Sequence, residues 1–489
     1  MKCGITSRLK LLSTHFRPRK PYLHPYSTRT SCHRIHTATP TPETPGNVPY
    51  SNPLARSLVE AIEATGPITL AAYMRQCLVS DLGGYYTAER RVGTGDQFGR
   101  KGDFITSPEI SQVFGELIGI WVVSEWMRQR RPGEKIQIIE LGPGRGTLMS
   151  DLWRAVLSFK AMADSVETIY LVEASPSLRE AQKVLLCGPE TKMRQIENGF
   201  ACQSKMSPKT DIIWYEDFNC IPRDKDRTPY IIAHEFFDAL PIHAFTNTDN
   251  GWREILVDAS PREGHFVTKD GVSRLETRTN TPEFALTLSN APTPHSILLP
   301  QLSQRYKDLA KLKNATIEIS PNSLGLMEKI SQKIGEAGAG AALIMDYGTS
   351  DTVPTNSLRG ILKHEICSPF SRPGEVDVSA DVDFTALAEQ AIKSSQKVEV
   401  HGPVKQGAFL AMLGIKERTE FLIRELKKPN NSWDSRNEDK EKALRLGHDR
   451  LVGEHAGGMG AVYKALAVVP VRKGGRPVGF GGEVTGNTD

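Results

Sequence analysis

The feature that most constrains this chain is an alternation of strand-like and helix-like segments. Ile136–Glu140 reads as a strand and 147–159 as a helix; Ile169–Val172 reads as a strand and 177–187 as a helix. Tyr230–Ala233 and Ala341–Met345 read as further strands, with a helix at about 383–394. Such an alternation implies an α/β fold, with a parallel sheet and helices on both of its faces. At 489 residues the chain is long enough for a large core and for more than one domain-sized unit.

Other segments divide the chain. Residues 43–52 read as a linker rich in Pro, Asn and Ser, and 53–130 as a helical N-terminal part of the main region. A helical pattern starts at Pro53, breaks at Gly66-Pro67 and resumes from Thr69 to Leu78. Ser107-Pro108-Glu109 looks like a helix start, with Ser107 as N-cap and Pro108 at the first position. Ile110, Val113, Phe114, Leu117, Ile118 and Trp121 follow at helical spacing and predict one face of a buried helix. The core is expected over 131–427, interrupted by an insertion at about 251–335 that begins with a small β-meander over 251–280. The C-terminal part, 428–489, is expected to hold a solvated polar loop at 428–442 and a closing strand after the glycines of 456–460. That last segment, AGGMGAVYKAL, mimics a protein-kinase glycine loop, but neither HRD nor DFG occurs in the chain.

The most informative local stretch is IIELGPGRGTL, residues 138–148. A strand runs into Gly142, Gly144 and Gly146 and then into a helix. Glycine lets the backbone turn tightly and approach a ligand, and the following helix offers unpaired N–H groups. Glu173 ends the second strand, where ligands sit in doubly wound sheets and where an acid can accept from both ribose hydroxyls; alternatively it is a cap-type residue for the next helix. A dinucleotide site wants GxGxxG, because its pyrophosphate rests on the helix N-terminus. Here the third glycine comes one residue early, and Glu140 beside the loop would repel a diphosphate. S-adenosyl-L-methionine carries a sulfonium and an ammonium and no phosphate, so acids at the loop favour it over NAD.

The charge balance matters for location. Residues 1–42 hold eight of the 61 Lys/Arg and no Asp or Glu, so the remainder is about four units negative. An arginine-rich, Ser/Thr-rich, acid-free leader is the pattern of a mitochondrial transit peptide, or otherwise a disordered basic tail. Nucleic-acid binding gains nothing from charge in such a leader. Seven scattered cysteines without a CxxC pair indicate neither a zinc site nor a disulfide framework. No apolar run reaches eighteen residues, so no membrane span is expected.

The segments GDFITSPEIS, ELGPGRGTL, AHEFFDALPIH and PGEVDVSADVDF occur in that order, followed by QGAFLAMLGI at 406–415. With them the chain resembles the S-adenosylmethionine-dependent protein arginine methyltransferases that act as mitochondrial complex I assembly factors. The likeness runs from about Pro53 to Gly414. It implies a Rossmann-like (class I) methyltransferase fold, a mitochondrial matrix location, and symmetric dimethylation of an arginine in a core catalytic subunit of complex I. Whether the chain forms a homo-oligomer is left open.

Methyl transfer to arginine needs alignment of nucleophile and methyl, and a grip on a guanidinium that stays protonated. Carboxylates bind that fork bidentately. In IIAHEFFDALP, Glu235 and Asp238 are the candidates for the grip, and His234 or Glu235 for taking the proton. The competing readings are that Asp238 caps a helix and Glu235 pairs with a structural arginine. Asp103, Thr106, Ser107 and Glu109 are candidates for a lid over the donor, with a structural role as open for Ser107. Asp346-Tyr347-Gly348 either lines the acceptor cleft or makes a turn. Asp377, Asp381 and Asp383 resemble a metal loop, but helix capping and packing suit them better, and no metal is assigned. His243 and His364 are isolated in sequence and read as structural. Rival functions are a non-catalytic assembly chaperone that binds the donor, and an NAD-dependent oxidoreductase.

Overall fold

The computed structural model describes residues 50–87, 105–129, 131, 133–260, 264–269, 272–277, 282–428, 435–472 and 475–481. The basic leader and Asp103 lie outside the described residues.

A ten-stranded mixed sheet forms the centre. Its main strands are β1 (Lys135–Leu141), β2 (Val166–Val172), β3 (Asp211–Tyr215), β4 (Arg227–His234), β5 (Ala341–Thr349), β6 (Val398–Lys405) and β7 (Tyr463–Pro470), with three short strands added. Their spatial order is β6-β7-β5-β4-β1-β2-β3. β1 to β5 run parallel to one another, while β7 is antiparallel to both β5 and β6. The chain order reverses at β1, between β2 on one side and β4 on the other. That reversal opens a crevice at the strand C-termini, where ligands bind in open α/β sheets.

Six helices matter for the site: α1 (Gln112–Gln129), α2 (Thr147–Leu157), α3 (Pro176–Leu186), α4 (Pro321–Ala337), α5 (Phe384–Ser394) and α6 (Ser435–Val452). The side-chain period of two on β1 divides its residues between the faces. Ile136 and Ile138 pack with Phe114, Trp121, Leu152 and Trp153 of α1 and α2. Ile139 and Leu141 pack with Ile330 and Ile334 of α4 and Leu387 of α5 on the other side. The Ser175 hydroxyl caps α3, and Ser320 caps α4.

Two local expectations are corrected and one is filled out. Thr106, not Ser107, is the N-cap residue of a single helical turn, Ser107–Ile110, and its side chain makes no cap bond. The chain then extends at Ser111 before α1 begins. The opposite side of α1 is buried too, because α2 packs closely on it: a Cβ on Gly115 would lie 2.6 Å from Asp151, and one on Gly119 2.7 Å from Leu152. The stretch after 428 is not simply a loop, since α6 starts at Ser435. Its Glu, Lys, Arg and Leu are good helix formers, and it gains the pairs Arg445–Glu441 at 3.0 Å and Lys427–Glu441 at 2.8 Å.

Between β4 and β5 the chain leaves the main sheet and builds a five-stranded antiparallel side sheet. It contains His243–Thr248, Gly251–Ala259, Phe284–Leu288 and Thr316–Ile319, with Ile68–Thr69 from the N-terminal part. The rest of the expected meander, Gly264–Lys269 and Val272–Thr277, forms a separate two-stranded sheet. Among the described residues no helix is long and apolar enough to cross a membrane.

Candidate functional site

A cavity of about 350 Å³ opens at the C-terminal ends of β1, β2, β4 and β5. One end is made by the glycine loop. Gly142, Gly144 and Gly146 have φ of +60°, +52° and +83°, a region that other residues enter at a cost. A Cβ on Gly142 would lie 2.7 Å from the Phe236 ring, so the loop is pressed against the turn that follows β4. Gly144 O accepts from Gln182 Nε2 at 2.6 Å, which ties the loop to α3.

Glu140 and Glu173 both line this end. Burial, and the like charge of Glu173, push Glu140 up to about 8. Its Oε2 is buried without a hydrogen-bond partner. Burial pushes Glu173 up to about 7, against the pull of its hydrogen bonds. Its Oε1 accepts from Ser175 N at 2.8 Å and its Oε2 from Gln182 Nε2 at 3.0 Å. Glu173 therefore does bond the start of α3, while Ser175 performs the actual cap. Each carboxylate oxygen keeps a free lone pair for a ligand hydroxyl.

The other end is the turn after β4. Glu235 has φ +50°, unusual for a side chain larger than glycine. Its backbone N–H donates to Met345 O at 3.0 Å. The next three N–H groups, of Phe236, Phe237 and Asp238, donate to a single oxygen, Asp346 Oδ2, at 3.1, 2.8 and 3.3 Å. Asp346 is fully buried at the tip of β5. It neither lines the cavity nor turns its own strand; it clasps the neighbouring turn. No helix follows Asp238, so it is not a cap, and the chain continues directly to the side sheet.

Burial, and the charge of Asp238, push Glu235 up to about 8, while the Tyr463 hydroxyl and the Ser107 N–H draw it back. Tyr463 donates to Glu235 Oε1 at 2.9 Å. Glu235 is thus bonded to a neutral phenol rather than to a structural arginine. Burial pushes Asp238 up to about 6, and the nearby Arg359 guanidinium lowers it in part. His234 lies between the rings of Phe114 and Tyr463, with Nε2 3.5 Å from Glu235 Oε1. Burial drags its pKa down to about 3, so it is neutral and a weak base. Of the lid candidates, Thr106 and Glu109 line the cavity. The Ser107 hydroxyl instead faces Met459 Sδ at 4.0 Å.

The three acids of PGEVDVSADVDF do not converge. Asp377 lines the cavity and accepts from Tyr86 Oη at 3.2 Å. Asp381 pairs with Arg359 at 2.6 Å. Asp383 caps α5 and pairs with Arg305 at 2.9 Å.

Of the segment Asp346-Tyr347-Gly348, Tyr347 lines the cavity, one of the two readings open to it, whereas Tyr463 is not singled out from sequence. Their rings lie 4.3 Å apart at opposed positions of β7 and β5. The missed signal is topological. Parallel strands bring their C-termini to the cavity, so an antiparallel last strand brings its first residue there.

Comparison with known proteins decides between the ligands. Residues 117–404 match the model of a family of S-adenosyl-L-methionine-dependent methyltransferases. The chain belongs to this family.

Relatives of the methyltransferase include the protein arginine methyltransferase NDUFAF7, mitochondrial, of Danio rerio, 37% identical over 76% of this chain and 78% of that one. The human protein of the same name is 34% identical over 88% of each chain. The Drosophila melanogaster homologue is 33% identical over 89% of this chain and 90% of its own. A solved structure from Burkholderia thailandensis, with S-adenosyl-homocysteine bound, matches with a TM-score of 0.59 at 19% identity, over 89% of this chain and 96% of that one. That likeness concerns the fold. S-adenosyl-L-methionine is the cofactor, and the nicotinamide alternative falls.

The cavity of the methyltransferase fits that group. It combines a cradle that a Cβ would fill, a buried carboxylate oxygen without a partner at Glu140, and a second acid at the tip of β2.

Proposed function

We propose that this methyltransferase acts on an arginine side chain of a protein, and that Glu235 and Asp238 hold the guanidinium. The observation that carries this reading is the electrostatic state of the second end of the cavity. Two adjoining acids face it from one short turn, each raised by burial, and Glu235 is bonded to a neutral phenol. Buried carboxyls of this kind are strongly stabilised by an incoming cation. A guanidinium supplies that charge and five N–H donors in a planar fork. The names of the relatives point to the same substrate class.

The donor would be held by the glycine loop, Glu140 and Glu173, with Thr106 above them; it supplies an electrophilic methyl on a sulfonium. Glu235 and Asp238 orient one guanidinium nitrogen toward it. Glu235 is the better proton acceptor, because burial lowers His234 and raises Glu235. His234 then serves as a neutral wall that fixes Glu235 from the side.

On the same reading, residues 1–42 direct the protein to the mitochondrial matrix, and the substrate is a core catalytic subunit of complex I, dimethylated symmetrically. The proposal for the donor end keeps Asp103 as a lid residue but not Ser107, whose hydroxyl faces Met459 and whose N–H bonds Glu235.

Glu235→Gln tests the assignment. Methyl transfer should fall by about 10²–10⁴-fold, while donor affinity, read by calorimetry, stays within about twofold. Normal turnover would remove Glu235 from the chemistry. A non-catalytic assembly chaperone predicts that wild type and variant alike leave the subunit unmethylated by mass spectrometry.

A further inference from the structure

Away from the cavity, the described residues hold one cluster of metal-ligand types: His243, Glu254 and His295. His243, isolated in sequence, is not isolated in space. It opens the strand His243–Thr248, and Glu254 lies on the adjacent antiparallel strand, opposite Phe245. The two side chains are therefore diagonal neighbours on one face of the side sheet. His295 comes from a third element, the short helix Pro294–Leu298.

The three side chains converge. His243 Nδ1 is 2.7 Å from Glu254 Oε1, and His295 Nδ1 is 3.5 Å from Glu254 Oε2. The two imidazole centroids are 4.1 Å apart. One ligand atom from each residue can be chosen so that all lie within 4.8 Å of one another. Tetrahedral zinc with N and O ligands at about 2.0–2.1 Å sets its ligand atoms about 3.3 Å apart. The spacings here bracket that value, so side-chain rotations of about an ångström complete the geometry.

The surroundings also suit a metal. The Glu254 side chain is fully buried, and Thr293 Oγ1 donates to its Oε2, fixing the carboxylate as an outer-shell partner does. His295 is about half exposed, which leaves a side open to water as a fourth ligand. Two imidazoles and one carboxylate select a borderline transition metal over magnesium or calcium. The acids 377, 381 and 383 offer the contrast, since they turn to three separate partners and do not converge.

We propose that His243, Glu254 and His295 bind a divalent transition-metal ion of the zinc class, as a structural clasp joining two strands and a helix of the side sheet. Pro241, two residues before His243, lines the cavity, so the clasp steadies the rim of the active site without entering it.

The test uses the untagged full chain, stripped with EDTA and titrated with Zn²⁺ by calorimetry and with Co²⁺ by visible absorption. A single saturable equivalent is expected, together with a rise in melting temperature. His295→Ala changes a half-exposed residue and should leave the fold intact. It should weaken binding by more than the roughly 10- to 100-fold lost with an outer-shell partner, and it should abolish the thermal shift. His455→Ala, at an exposed histidine elsewhere, should change neither. Absence of saturable binding, equal binding by His295→Ala, or a sulfur-to-cobalt charge-transfer band that moves the metal to cysteines would each overturn the proposal.

Discussion

At the donor end of the cavity, Glu173 is held by partners two and nine residues away along the chain. At the acceptor end, the turn carrying Glu235 and Asp238 is held by Asp346, 108 to 110 residues away, and by Tyr463, 228 residues away. Both ends hold acids raised by burial, so both are prepared for a cation. One is built from a local strand–loop–helix unit. The other exists only when three strands have been brought into register. The difference teaches that the acceptor end is the more fragile of the two. The ends meet where the Phe236 ring packs against Gly142, which couples the shape of the loop to the shape of the turn.

The largest effect is expected from Asp346→Ala. It leaves two buried N–H groups and one half-buried one without an acceptor, and each buried loss costs about 1–3 kcal/mol. Relaxation shares that cost, so a loss of at least about 3 kcal/mol is expected in urea unfolding, with turnover abolished. Asp346→Asn keeps an acceptor oxygen and should recover most of the stability. Donor affinity in Asp346→Ala should fall much less than turnover. An equal fall in both would mean that the two ends are one unit.

Tyr463→Phe probes the same end more gently. It removes one hydrogen bond to a carboxylate that is otherwise held by burial, worth about 1–1.5 kcal/mol or roughly tenfold in kcat. Because the phenol lowers the Glu235 pKa, its loss should move the ascending limb of the pH–rate profile upward. A structural defect alone would lower the rate without moving that limb. Donor affinity should not change.

The same contrast explains what sequence made legible. The alternation of segments was enough for the α/β sheet, and the loop 142–146 with Glu140 and Glu173 could be found because its parts are neighbours in the chain. Glu235 and Asp238 stood out as charges in an apolar run at a strand tip. Asp346 was noticed, but its task was not, because nothing local shows that a carboxylate will accept from a turn on another strand. Tyr463 was hidden by a glycine-rich segment that resembled a different family, and by an antiparallel strand that inverts the rule about strand tips. The pairing of His243 with His295 depends on a side sheet whose register no periodicity revealed. Helix α6 is hard to read from sequence because its charges suit a solvated loop as well as a helix whose side chains pair with other turns.

The smallest effect concerns the donor end and follows from the raised Glu140. An acid at about 8 in the folded chain, against an ordinary 4.5, holds a proton that the unfolded chain has released. Stability from this group is therefore complete below about pH 4.5, declines as pH rises to about 8, and is flat above that. Glu140→Gln has no proton to lose, so without donor it should be more stable than wild type at pH 8 and equal to it near pH 5. Water entering the open cavity screens much of the penalty, which sets the difference on the order of 1 kcal/mol. The donor reverses the sign of the comparison. A cation beside Glu140 restores the carboxylate, so binding to wild type at pH 7 should release protons, measurable by calorimetry in buffers of different ionisation enthalpy. Glu140→Gln should bind more weakly and release fewer. Equal proton release by the two proteins would place the titrating acid elsewhere and leave Glu140 as packing beneath the loop.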